Sequence, residues 1–273
     1  MIGRLFHLEI PLKTSDRGVA ALVAHEGVVP GPYLDSVGVW TVYIGHTAAA
    51  GDPIPATMTK GPPQDLDAAL RKAFAVFRRD LAKYESDVIA ALGRTPVEQH
   101  EFDAAVSFHF NTGAIRRAAW VDLWKSGRKD AAARSMVANW RKPAEIVKRR
   151  EDEAELFLSG KYPDKRATVW DVGKTGRVIW KPLRTMSQAE IIELVRDTGT
   201  FRPEIKQGDI CAEVKEAQSL LLAAGHDPKG IDGNFGGNTR AAVMSFQTAC
   251  GLPASGIITP ATWAELLKGK TNE

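Results

Sequence analysis

The chain has 273 residues, enough for about two domains. Hydrophobic residues make up 44% and charged residues 25%, which fits a globular protein with its own core and excludes a disordered or collagen-like chain. A net charge of +3 and a pI near 8.8 suit a polyanionic partner, but no zinc-finger spacing or RNP-type aromatic motif supports nucleic acid.

Residues 1–14 read as an N-terminal arm. Glu9 and Pro11 interrupt it, and it lacks the charged, apolar and cleavage regions of a signal peptide. A helix follows, with Ser15 or Asp16 as its N-cap. Val19, Leu22, Val23 and Glu26 fall at i, i+3, i+4 and i+7, and Gly27 suits the left-handed residue that stops a helix. Glu26 therefore ends the helix on its apolar stripe. Partial desolvation there disfavours the charged carboxylate, which is what a general acid near neutral pH requires. A short β-hairpin comes next. With its turn centred on Gly38, Asp35 and Thr41 stand opposite each other on one face, about 5 Å apart. They are expected to hold one water between them. A carboxylic acid, an ionised carboxylate and a hydroxyl in this arrangement make a glycosidase site.

The pattern Glu26-x8-Asp35-x5-Thr41 is embedded in Tyr33-Leu34-Asp35-Ser36-Val37-Gly38-Val39-Trp40-Thr41 and followed by Gly45-His46-Thr47. It resembles the phage lysozyme family, glycoside hydrolase family 24. The resemblance implies hydrolysis of the β-1,4 bond between N-acetylmuramic acid and N-acetylglucosamine in peptidoglycan. It implies Glu26 as general acid, Asp35 as partner carboxylate and Thr41 as the group that positions water. It also implies an α+β, predominantly helical lysozyme-like domain with a small β-hairpin lobe. The family reads Thr-x-Gly-x-Gly after the turn, whereas Tyr43 replaces the first glycine here, so the local cleft shape is expected to differ.

His46 reads as a packing or hydrogen-bonding residue as readily as a functional one. Residues 48–63 carry three glycines or prolines in close succession near each end and form a loop. A long helix begins near Pro63, with Leu66, Leu70, Phe74, Phe77 and Leu81 on one stripe. The next helix is expected to use Thr95 as cap, Pro96 at the first position and Glu98 at the third. It ends in Phe110-Asn111-Thr112-Gly113, which resembles the family's FNxG signature at the cleft floor. That implies Asn111, with Phe110 beside it, as a sugar contact; the alternative is Asn111 as a helix C-cap. Trp120, Leu123 and Trp124 lie on a short helix, and 130–140 form another. Arg134, Arg141, Lys142, Lys148, Arg149 and Arg150 concentrate positive charge, either as a solvated face or as an attractor for anionic wall polymers. The helix containing Glu155, Leu156 and Phe157 resembles the last of the family's catalytic domain, which is expected to end near residue 165.

Residues 166–209 are turn-rich and read as a linker. One amphipathic helix interrupts it, capped by Ser187 and Glu190 before Ile191, Ile192, Leu194 and Val195. Residues 210–273 read as a small all-α unit of three helices. The string Ile231-Asp232-Gly233-Asn234-Phe235-Gly236, with Gly256-Ile257-Ile258-Thr259-Pro260-Ala261-Thr262-Trp263 further on, resembles a type 1 peptidoglycan-binding module. Asp232 and Phe235 lie in its signature loop, either as turn residues or as ligand contacts. Cys211 and Cys250 are two thiols or one bridge, not a disulfide framework.

Gly173-Lys174-Thr175 mimics the end of a phosphate-binding loop, but Thr168 occupies the position of its first glycine. The six histidines show no metal-ligand spacing, so no metal and no cofactor are expected. No apolar run approaches the ~18 residues of a membrane span. The combined reading is a monomeric, modular endolysin whose partner is peptidoglycan, with neither nucleic acid nor stable membrane insertion. It would stay in the host cytoplasm until released, then act on the periplasmic or extracellular wall. Two rivals stand beside it: a lytic transglycosylase that leaves 1,6-anhydro ends, and a non-catalytic wall-binding protein.

Overall fold

In the computed structural model, which describes residues 12–197, 202 and 204–268, helix α1 spans Asp16–Glu26. The Ser15 hydroxyl accepts the Gly18 amide at 3.0 Å, and Gly27, at φ 72°, ends the helix. Most of the N-terminal arm lies outside the described residues. Val19, Leu22 and Val23 are buried, so the stripe read from their spacing faces the core. Strands β1 (Val29–Leu34), β2 (Trp40–Tyr43) and β3 (His46–Thr47) form an antiparallel sheet in that order.

Helices α2 (Leu66–Leu92), α3 (Gln99–Thr112), α4 (Ala119–Lys125), α5 (Lys129–Asn139) and α6 (Val147–Ser159) follow. Their shared core is aromatic. Trp120 stacks on Trp124 at 5.8 Å, and Phe108 and Phe157 meet Trp120 edge-on at 5.1 and 5.8 Å. Edge-to-face packing of this kind stabilises beyond the area buried, by about 1 kcal/mol per pair. Helix α3 does not start where Thr95 was expected to cap it. Glu98 is its N-cap, with its amide bonded to the Glu101 carboxylate at 2.9 Å, while the Thr95 hydroxyl donates to Leu92 O at the end of α2.

The expected linker is only partly a linker. Strands β4 (Ala167–Val172) and β5 (Val178–Met186) form a hairpin, and helix α7 (Gln188–Asp197) follows. The Val28 amide donates to Thr168 O at 2.9 Å, and the Trp170 amide donates to Val28 O at 2.8 Å. Ala167, Val169, Met186, Ile191 and Val195 join the same core as α1. The physical reason is an edge: Val28 offers an unpaired backbone beside the sheet, and β4 satisfies it. The chain accordingly divides at Met1–Gly199 and Thr200–Glu273, beyond residue 165. The Ser187–Glu190 cap is present, with Glu190 Oε2 accepting the Ser187 amide at 2.7 Å.

The second unit holds α8 (Ala212–Ala223), α9 (Gly237–Ala249) and α10 (Pro260–Lys268). Val214, Leu221, Phe235, Val243 and Trp263 form its core. Two buried glutamines tie its loops by the same device. Gln218 Oε1 accepts the Gly233 amide at 2.8 Å, and its Nε2 donates to Thr239 Oγ1 at 3.0 Å. Gln247 Oε1 accepts the Gly256 amide at 3.0 Å, and its Nε2 donates to Thr262 Oγ1 at 3.1 Å. A small unit has few apolar contacts to spare, so such satisfied buried amides define its loops. Cys211 and Cys250 are both free. Among the described residues no helix is long and apolar enough to cross a membrane.

Candidate active site

Glu26 ends α1, and its side chain is 27% exposed. Its place on the apolar stripe of α1 implies partial desolvation; the structure adds a cation beside it. Arg149 on α6 donates from Nη1 to Glu26 Oε1 at 2.6 Å. The same guanidinium donates from Nε to Glu153 Oε1 at 3.0 Å and from Nη2 to Ser107 O at 3.2 Å. Arg149 is 6% exposed and Arg150 fully buried. The solvated-face reading of this charge run therefore fails for both. Burial works against the Arg149 charge, but Glu26 and Glu153 outweigh it and hold the guanidinium above its ordinary value. Arg150 donates to Glu153 and to Asn111 Oδ1, both at 3.0 Å. The Ser107 hydroxyl completes the set, donating to Glu153 at 2.7 Å. Glu153 at i+4 from Arg149 and i+3 from Arg150 was the sequence signal for this network.

The hairpin register differs from the expected one. Thr41 pairs with Tyr33, and the Asp35 amide donates to Val39 O at 3.0 Å. Asp35 therefore faces Val39, and the turn is Ser36-Val37-Gly38. Its cause is local: Asp35 Oδ1 accepts the Val37 and Val39 amides at 2.9 and 2.8 Å, and Gly38 takes φ 82°. Asp35 and Thr41 lie a diagonal step apart on one side of the ribbon, roughly 7–8 Å by ladder spacing. Thr41 is buried, and its hydroxyl donates to Val39 O at 3.2 Å. Tyr33, overlooked in the sequence, is the cross-strand partner of Thr41 and lies two residues before Asp35 on the same side of the ribbon. Burial raises its phenol to about 12, and the charges of Asp35 and Glu26 add to the effect.

Tyr43, where the resembling family reads glycine, takes φ 61°, with its ring in the core. A non-glycine residue there is strained by about 1 kcal/mol or more, offset by burial of the ring. His46 is buried, with Nδ1 2.6 Å from Asp80 Oδ2 and Nε2 2.8 Å from Pro53 O, so it holds the loop after β3 to α2. Asn111 is not the C-cap, which is Gly113 at φ 61°; it is exposed and held by Arg150. Phe110 packs on Tyr84 at 4.9 Å and edge-on to Phe77 at 5.5 Å.

In the second unit, Phe235 is fully buried, which corrects its candidacy as a ligand contact: its ring fills the core. Asp232 accepts from Gln218 Nε2 and from the Asn234 amide, both at 2.9 Å. The Gln218 bond first, then the amide, holds its carboxyl below the usual range. Asp232 thus shapes the loop.

Comparison with known proteins gives two family matches. The phage lysozyme model matches residues 23–153, and a putative peptidoglycan binding domain matches residues 212–266. An endolysin of Salmonella phage P22 is 30% identical over 154 residues, covering 54% of this chain and 99% of that protein. An uncharacterized protein of Kitasatospora aureofaciens is 41% identical over 68 residues, covering 24% of this chain and 58% of that protein. Among solved structures, the muramidase domain of SpmX from Asticaccaulis excentricus is 29% identical with a TM-score of 0.44, covering 54% of this chain and 98% of that one.

Proposed function

We infer the reaction from one premise: this chain belongs to the phage lysozyme family, and a peptidoglycan-binding domain lies in its C-terminal part. It is a modular hydrolase of the bacterial cell wall. At the finer level we assign it to the lysozymes (N-acetylmuramidases) of glycoside hydrolase family 24. The bond cut is the β-1,4 linkage between N-acetylmuramic acid and N-acetylglucosamine.

In this reading Glu26 gives its proton to the glycosidic oxygen. Arg149 occupies Oε1 and leaves Oε2 for that donation, then stabilises the carboxylate that remains. Asp35 takes a proton from water as the water attacks the anomeric carbon, with Thr41 lining the same side of the ribbon. Attack from the face opposite the leaving group inverts the anomeric centre. The observation that carries the assignment is the placement of the groups: Arg149 holds Glu26 at the end of α1, and Asp35 and Thr41 stand on one side of the hairpin that follows. The second unit anchors the enzyme on peptidoglycan and raises the local substrate concentration. The enzyme acts as a monomer on the periplasmic or extracellular wall, after release from the cytoplasm by another factor.

Glu26→Gln keeps the shape and removes the transferable proton. Turbidity loss of purified walls should slow by about 10²- to 10⁴-fold. Wild-type fragments should carry reducing ends by mass spectrometry. Activity surviving the substitution would remove Glu26 from its role, and 1,6-anhydro ends would replace hydrolysis with transglycosylation.

A further inference from the structure

Hairpin β4–β5 lies outside residues 23–153, the span of the lysozyme match, yet it flanks β1, the strand between Glu26 and Asp35, along its length. At one end, Trp170 bonds the Val28 backbone and lays its indole on Gly27, where an added Cβ would come 3.1 Å from Nε1. Gly27 adjoins Glu26. At the other end, Leu34 donates its amide to Gly176 O at 2.8 Å, and Gly176 lies so close to the Trp40 ring that a Cβ there would come within 2.5 Å. Leu34 adjoins Asp35.

The hairpin's outer surface is unusual for a fold-supporting element. Trp180 is 77% exposed. It meets Trp170 edge-on, with centroids 5.4 Å apart and planes at 77°. Trp170 thus braces Trp180 on one side and leaves most of its indole open. An exposed, braced indole contributes little to folding and suits a ligand with an apolar face and polar rim. A pyranose ring has that character. Lys174, Arg177 and Lys181 on the same hairpin are exposed cations. They complement a strand that carries carboxylates.

We propose that hairpin β4–β5 is an additional glycan subsite: Trp180 stacks on a sugar ring of the same peptidoglycan strand whose bond is cut beside it, and the three cations meet carboxylates of its peptide stems. The inference rests on the catalytic reading above. Trp180 is a binding residue that selects long strands.

The test compares full-length wild type, Trp180→Ala and Trp180→Phe on purified soluble peptidoglycan strands of graded length, with Glu26→Gln alongside. Trp180→Ala should raise KM about 3- to 10-fold on long strands. It should move kcat far less, and leave the shortest cleavable strands unaffected. Trp180→Phe should recover most of the loss, because it restores an aromatic face. The melting temperature should stay in place for both. Equal KM values for wild type and Trp180→Ala at every length would overturn the subsite. So would wild-type dimerisation, or binding to anionic lipid vesicles, that Trp180→Ala abolishes without a KM change, since the face would then serve another occupant. An active Glu26→Gln would instead defeat the catalytic reading and leave the KM comparison standing, so the two failures are distinct.

Discussion

At Arg149, one guanidinium serves Glu26, Glu153 and the Ser107 carbonyl at once. Removing it strands a buried carboxylate with a single remaining arginine. Arg149→Met should therefore lower stability by about 3 kcal/mol in urea denaturation. It should also cut wall hydrolysis at least tenfold, because Glu26 loses the group that orients it. Arg149→Lys keeps a charge but not the fork, and should fall between the two in both assays. The positions of Glu26 at a helix end and of Asp35 and Thr41 on one hairpin were legible in the sequence because the spacing and the turn glycine are local. Arg149 was not, since a run of basic residues reads alike whether solvated or buried. Thr41's partner was misread for a related reason. The Asp35 carboxylate, by accepting two amides, sets the turn one residue earlier than Gly38 alone suggests.

Helices were the most readable elements. The Ser15 cap, the Gly27 stop and the α2 stripe were each carried by a few residues within one or two turns. The β4–β5 hairpin was hidden because its pairing slips around Trp170 and Pro182 interrupts the alternation of β5. The interface of α1 and α6 carries a pH response. His25 lies in the last turn of α1, 3.9 Å from Asp152, with its side chain 8% exposed. Burial, then Arg149 and Lys165, push the imidazole down to about 3, against the pull of Asp152. The fold therefore keeps His25 neutral, while the unfolded chain takes a proton below about 6.5. This contribution to stability is complete above that pH and declines as pH falls towards 3. Between pH 7.5 and 4.5 wild type should lose about 3 kcal/mol through this group. Denaturation of His25→Gln at both pH values should show a smaller drop by that amount.

Across the whole molecule, the sequence motifs located two functional parts, but the first extends further than its motifs. The core of Met1–Gly199 includes Val169, Met186, Ile191 and Val195, all contributed after residue 165. A chain cut after residue 165 should lose cooperative thermal unfolding or precipitate, whereas one cut after residue 199 should melt in a single transition by circular dichroism. The reason the border was misplaced is physical. A turn-rich stretch with one amphipathic helix has the composition of a tether, and only the open backbone of Val28 reveals that it is needed for closure. The same pairing bears on protein engineering. Anyone exchanging hydrolytic cassettes among wall-degrading enzymes would have to transplant this one with its trailing ribbon and helix attached, because a graft trimmed to the family's span would leave the backbone at Val28 and β1 with a raw edge.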